Sequence, residues 1–390
     1  MSDISHRRLA GLDVLRGWLC LAVFAVHSLP SRWAETGWLA MPVFFVLSGF
    51  VITRSLLAAE QQGLPVGTQL RRFFARRALR ILPTLLVFLV ITVPLARWVG
   101  HGSEAGWPYA LLFIHNFWVM SAAHEMSYFY NHLWSLSVEE QFYLVFPWLF
   151  IGCRKHRVAL LMVALLLAPL ARELLSELAQ QYPQAFTSQR ARGAGATPRD
   201  LVVYVFGLSH VDAFAIGALL ALRAAGAVTA IARWRWLLLA TVSVFGMGGL
   251  ITGQLDGLSY RPFLGRAGQA QEVWGYSLLN IWAVVLVAVF ALRPASGLSA
   301  RPLAWLGRIS FEFYLMHYPV IALCAFVFRP GSTLPAAAWV ALPLLATLAA
   351  ALLLNRTVTW LTRPLQQRLD AKAVDAGIAS RAPVINGAAQ

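Results

Sequence analysis

The stretch "LDVLRGWLCLAVFAVHS", residues 12–28, decides how the chain is read. Its length and apolar content suit a helix that crosses a bilayer, which needs about 20 such residues. Asp13, Arg16 and His27 interrupt it. An ionisable group at membrane depth is costly unless it is paired or faces a polar cavity. Arg16 and His27 are 11 positions apart, close to three helical turns, so they share one face about 16 Å apart along the axis. Asp13 lies one turn before Arg16 and joins the same stripe. Singly, Arg16 could snorkel to the headgroups and His27 could end the helix at the interface. Three ionisable groups on one stripe point instead to a polar lining that faces other helices.

The rest of the chain extends this reading. Of 390 residues, 59% are hydrophobic and 13% charged, against about a quarter charged in a soluble domain. Runs of roughly 20 apolar residues recur at about 11–29, 37–58, 81–99, 134–152, 158–175, 201–222, 236–252, 273–292, 309–328 and 335–361. The sequence therefore predicts an all-α polytopic membrane protein, with about ten transmembrane helices in a single bundle domain over residues 1–369. Segment 107–121 is apolar but short and reads as an external, partly re-entrant connection. The small and polar tail, 370–390, is expected to be disordered, and loop 176–200 flexible. No convincing cleavable signal peptide precedes the first span.

The net charge of +15 raises the question of nucleic acid, but no such motif accompanies it. With a cytoplasmic N-terminus, the inner segments hold 22 of the 32 Lys and Arg and the outer ones nine, Arg172 among them. That bias follows the positive-inside rule and places both termini in the cytoplasm, with the bilayer as the partner of the basic surface. Cys20, Cys153 and Cys324 form neither a disulfide framework nor a metal cluster, and no metal is expected.

Four more clusters carry candidate chemistry. In "NHLWSLSVEEQFYLVFP", residues 131–147, His132 and Glu139 are nearly two turns apart and share a face. Ser135 or Ser137 could cap the helix with the acids near its positive end, or Glu139 could orient a histidine. In "RRFFARRALRILP", residues 71–83, Arg77 and Arg80 meet at i, i+3. Such arginines anchor topology, and a guanidinium fork also suits a phosphate-bearing ligand. "SHVDAFAIGALLAL" carries His210 and Asp212, and "LGRISFEFYLMHYPV" carries Ser310, Glu312, Tyr314 and His317; either could be polar glue between helices. No Walker A loop, GxSxG elbow, HExxH or dinucleotide turn is present.

Together these stretches, with "PVFFVLSGFVITRSL", resemble the membrane-bound acyltransferase-3 family, the bacterial O-acyltransferases that acetylate sugars, exopolysaccharides, lipopolysaccharide and some macrolides. The order of motifs matches along nearly the whole chain, from the Arg16–His27 spacing through the RxxR at Arg77 and Arg80 to "WLGRISFEFYLMHYPV". The chain departs at His210, where the family often has arginine, and at Thr362, where many members carry glutamate. The esterase-like C-terminal domain of some relatives is not part of the sequence, so transfer is expected to be completed by the membrane domain or a partner.

The resemblance implies a multi-pass O-acyltransferase of the bacterial cytoplasmic (inner) membrane. It would move an acyl group, acetyl first, from acyl-CoA at the cytoplasmic face to a hydroxyl of a carbohydrate acceptor such as exopolysaccharide or lipopolysaccharide. Arg77, Arg80 and Arg16 would hold coenzyme A. His27 would act as general base or transient acyl carrier, with Glu139 and Arg16 completing the catalytic set. Asp13, His132, Trp134, Asp212 and His317 would meet the acceptor. A transporter or flippase for a glycan or lipid-linked intermediate, a macrolide-like acceptor and self-association stay open at this point.

Overall fold

The computed structural model describes residues 9–29, 40–100, 106–124, 127–186, 198–236, 270–292, 297, 300–328 and 335–375. The expected span 236–252 lies almost wholly outside them, as do residues 376–390 of the expected tail and 187–197 of loop 176–200. Among the described residues, regular structure is helical throughout. The main helices are α1 (Ala10–Ser28), α2 (Ala40–Gln61), α3 (Val66–Val99), the short α4 (Trp107–Leu111) and α5 (His115–Met120), and α6 (Trp134–Gly152). There follow α7 (Arg157–Gln181), α8 (Pro198–Val205), α9 (Val211–Leu222), α10 (Ala224–Arg233), α11 (Ala270–Leu292), α12 (Ala300–Arg308), α13 (Ser310–Phe328) and α14 (Ala336–Asp375).

Seven of these are long and apolar enough to cross a membrane. Helix α6 has the length, at 19 residues, but Glu139, Glu140 and Gln141 lower its apolar content. The expected span 201–222 is divided. Phe206 is extended (φ −81°, ψ 132°) and a 3-10 turn over Gly207–His210 separates α8 from α9. That break lets the His210 ring nitrogen Nε2 meet the Tyr204 carbonyl at 2.8 Å. Segment 107–121 contains helices of only five and six residues, too short to span. Their connection carries Phe113 at φ 56°, a left-handed turn secured by the Gln141 amide, which donates to the Phe113 carbonyl at 2.8 Å. Helix α7 runs on to Gln181 and α14 to Asp375, so part of the expected loop and of the expected tail is helical.

Two helix crossings hold the centre, and both depend on glycine. Helix α1 packs chiefly on α12, and α2 on α9. A Cβ on Gly17 would collide with the Leu303 carbonyl, and one on Gly307 with the Asp13 carbonyl. The second pair repeats the arrangement: a Cβ on Gly49 would meet the Phe214 carbonyl, and one on Gly217 the Val46 carbonyl. Inside a bilayer, where lipid is as apolar as leucine, such small-residue contacts let backbones approach and supply much of the association energy. Outward faces are apolar and exposed, with Leu86 and Val90 on α3, Leu166, Leu170 and Leu174 on α7, and Leu353 and Trp360 on α14. The i, i+4 and i, i+7 rows they form are the surfaces suited to meet lipid.

Because the carbonyl opposite Gly217 is backbone, it cannot swing aside. Gly217→Ala should lower the thermal midpoint of the detergent-solubilised protein by the equivalent of about 1–3 kcal/mol, the usual cost of overpacking. Gly226→Ala, where nothing among the described residues lies within 4 Å, should not lower it. Fluorescence-detected size exclusion after heating reads both.

Candidate active site

The arginines singled out in the sequence converge with Glu139 on one chamber. A cavity of about 110 Å³ is lined by Arg16 of α1, Ser48 of α2, Arg77 and Arg80 of α3, Glu139, Glu140 and Tyr143 of α6, and Ser310 and Tyr314 of α13. Arg77 and Arg80 sit one turn apart on the inner face of α3, as their spacing requires. The Arg77 guanidinium lies over the Tyr143 ring, 4.4 Å from its centroid. Arg16 is held by Asp13 at 3.2 Å, one turn back on the same helix. No carboxylate among the described residues forms an ion pair with Arg77 or Arg80. Glu139 and Glu140 line the same chamber and counter this charge at longer range, without direct contact.

A hydrogen-bonded chain crosses the chamber floor. The Tyr143 hydroxyl donates to Ser48 Oγ at 3.0 Å, and Ser48 donates to Glu139 at 2.5 Å. Ser48 was passed over in the sequence, although it stands beside the packing residue Gly49 in "LSGF". Glu139 thus has a serine as its partner and makes no hydrogen bond to His27 or His132. The reason is axial: seven residues rise about 10 Å, so a shared face still puts His132 and Glu139 at different depths. Ser135 and Ser137 do not cap α6 either. Its N-cap is Leu133, without a side-chain bond, while Ser137 accepts the His115 N–H at 3.0 Å.

At the other pole of α1 stands a cluster of imidazoles. His27 and His317 have ring centroids 5.3 Å apart, and His132 and His317 5.0 Å. The Tyr318 ring lies 4.7 Å from His27 and 5.2 Å from His132. Among the described residues no three His, Cys, Asp or Glu side chains are arranged to hold a metal ion. Tyr314 joins this cluster to the chamber. Its hydroxyl lines the chamber, meets Ser135 Oγ at 2.6 Å and donates to the His132 backbone carbonyl, and its ring lies 5.1 Å from His132. Arginines below, Tyr314 and Ser135 between, and histidines above make one continuous polar line.

Three expected acceptor contacts turn to other partners. Asp212 is a buried structural anion: Arg172 reaches it at 3.0 Å and Ser277 donates to it at 2.7 Å. Arg172, counted in the sequence as an outer charge, is fully buried in α7 and also donates to the Ser209 and Val273 carbonyls at 2.6 and 2.7 Å. A guanidinium from another helix thus partners the aspartate whose motif has His210 in place of arginine. Trp134 is 3% exposed and packs on Tyr204, Phe45 and His210, so it belongs to the core. Asp13 is 5% exposed, with its carboxylate turned to Arg16.

With this geometry in view, the class follows from comparison. Residues 9–356 match the family Acyl_transf_3, described as an acyltransferase domain, and the chain belongs to that family. Among its relatives, a putative peptidoglycan O-acetyltransferase, YrhL, of Bacillus subtilis is 31% identical over 338 residues, covering 82% of this chain and 49% of the relative. The peptidoglycan O-acetyltransferase OatA of Listeria monocytogenes is 29% identical, covering 82% and 50%. The O-acetyltransferase OatA of Staphylococcus aureus is 27% identical, covering 81% and 51%. The chain spans about half the length of these relatives. No solved structure matches it.

The Arg172–Asp212 pair should behave as a structural element. Arg172→Met or Asp212→Asn alone leaves a buried polar group without its partner and should cost about 3–5 kcal/mol. Replacing both, Arg172→Met with Asp212→Leu, should recover part of that loss. Thermal unfolding in detergent distinguishes the three variants.

Proposed function

We propose that the chain is an integral-membrane O-acyltransferase that moves an acyl group, acetyl first, from acyl-CoA to a hydroxyl of a carbohydrate acceptor. The observation that carries this reading is the polar line through the helices. It places cations suited to phosphate at one pole of α1 and imidazoles suited to hydroxyl chemistry at the other. The relatives named as peptidoglycan O-acetyltransferases support a glycan acceptor. The charge bias of the sequence supports about ten spans with both termini in the cytoplasm of a bacterial inner membrane, and so a chamber that opens to the donor side.

In this reading Arg77 and Arg80, with Arg16, bind the phosphates of the donor, guanidinium groups being matched to phosphate oxygens. Tyr143 stacks under Arg77 and limits its rotation. Glu139, turned to Ser48, shapes the chamber rather than the base. His27 takes the proton of the acceptor hydroxyl as the oxygen attacks the thioester carbon. The new C–O bond replaces the C–S bond, and the departing thiolate takes a proton. About 16 Å of helix between Arg16 and His27 is comparable to an extended pantetheine arm, so the thioester would reach the histidines while the phosphates stay with the arginines.

The test uses purified protein in detergent with radiolabelled acetyl-CoA. His27→Ala should lose transfer by about 10²–10⁴-fold, the range of a general base, while binding acetyl-CoA as before. Arg77→Ala with Arg80→Ala should weaken acetyl-CoA binding instead. Full transfer by a folded His27→Ala protein would defeat the assignment of the base. Undiminished donor affinity in the double variant would defeat that of the chamber.

A further inference from the structure

The acyltransferase reading assigns one proton transfer to His27 and leaves the other two imidazoles of the cluster without a task. His317 is fully buried on α13. Its Nδ1 lies 2.5 Å from the Tyr314 carbonyl oxygen, which can only accept. Nδ1 therefore carries the proton, and a neutral ring so pinned keeps its lone pair on Nε2. That Nε2 is buried and has no hydrogen-bond partner among the described residues. His132, 4% exposed, likewise makes no close ring hydrogen bond among the described residues, one of its nitrogens being turned to the Leu315 backbone, and as a neutral ring it offers one donor and one acceptor.

Buried polar atoms in native proteins are nearly always satisfied, and an exception asks for an explanation. One orphaned imidazole could be a local accident of packing. Here two adjoining rings share the condition, beside His27 and against the face of Tyr318. A bare imidazole acceptor next to a base, with a second imidazole and the Tyr318 ring beside them, suits a ligand that brings more than one hydroxyl. A buried acceptor left unpaired selects strongly for a ligand whose hydroxyl reaches it.

We propose that the acceptor substrate is a sugar or other polyol bound through two hydroxyls on neighbouring carbons. One gives its proton to His27 and receives the acyl group. The other donates a hydrogen bond to His317 Nε2, with His132 beside it in the same polar wall. His317 takes up no proton and forms no covalent bond. It is a binding residue that fixes which hydroxyl faces His27, and so sets the position acylated. This assignment rests on the acyltransferase reading and narrows its acceptor to vicinal hydroxyls.

The experiment measures transfer from radiolabelled acetyl-CoA to methyl glucopyranoside and to each of its monodeoxy analogues, using the full chain in detergent. For the wild-type protein, one deoxy position should abolish transfer, being the acylated oxygen. A second, on an adjacent carbon, should lower kcat/KM at least roughly tenfold, as loss of a hydroxyl from a dedicated acceptor does. In His317→Leu the second penalty should vanish and the first remain, with acetyl-CoA affinity unchanged. His317→Gln keeps an acceptor at the Nε2 position and should retain part of the penalty, which gives a second measurement should the leucine variant fold poorly. An adjacent-position penalty equal in wild type and both variants, or absent from wild type, would overturn the proposal, as would refusal of the sugar by an enzyme that still consumes acetyl-CoA. Failure of the wild type to consume acetyl-CoA at all would strike the acyltransferase reading itself.

Discussion

Backbone touching backbone is the constraint from which the remaining geometry follows. At Gly17 and Gly307 two helices meet with no side chain between them, and at Gly49 and Gly217 two more do the same. The crossing glycines of α1 and α2 each adjoin a residue that lines the chamber: Arg16 beside Gly17, Ser48 beside Gly49. Close contact at the glycine fixes the rotation of its helix, and rotation fixes where the polar neighbour points. In lipid, where apolar burial gives helices little reason to prefer one another, this contact positions functional groups as well as holding the bundle together.

The polar groups divide into two kinds on that scaffold. Some are satisfied within the protein, such as Arg172 with its carbonyls, Asp212 and Ser277, or Glu60 with Arg154 and Arg157. Others are held in place yet left with unused capacity. Among the described residues Arg77 and Arg80 form no ion pair, one oxygen of Glu140 is buried without a hydrogen bond, and so is His317 Nε2. These members of the second kind lie along the line from chamber to histidine cluster, while others such as Thr53, Asn280 and Thr347 lie outside it. Membrane depth makes ionisable groups the most expensive of them, which supports reading that line as a site for ligands.

How much of this was legible beforehand depends on whether the signal was local. The stripe on α1 was, because 3.6 residues per turn places Arg16 and His27 without reference to any other helix. The pairing of Arg77 with Arg80 was legible for the same reason, as was the run of apolar spans. Facts about which helix lies beside which were not. Asp212 looked like a substrate contact until Arg172, 40 positions earlier, proved to be its partner. Glu139 was matched to His132 by face, but Ser48, 91 positions away, holds it. The broken span at Phe206 escaped because an extended residue among apolar neighbours leaves hydropathy unchanged. The glycines were in plain view, yet their meaning belongs to the partner carbonyl that each one admits.

The buried guanidinium of Arg172 also bears on biogenesis. Synthesis delivers α7 before α9 and α11, so Arg172 is made ahead of its hydrogen-bond partners Asp212, Ser209, Ser277 and Val273. A lone arginine in a membrane span costs up to about 2.5–3.5 kcal/mol on insertion scales, so α7 by itself suits lipid less well than α7 beside α9 and α11. The buried guanidinium thus ties the stability of this helix to chain that is made after it.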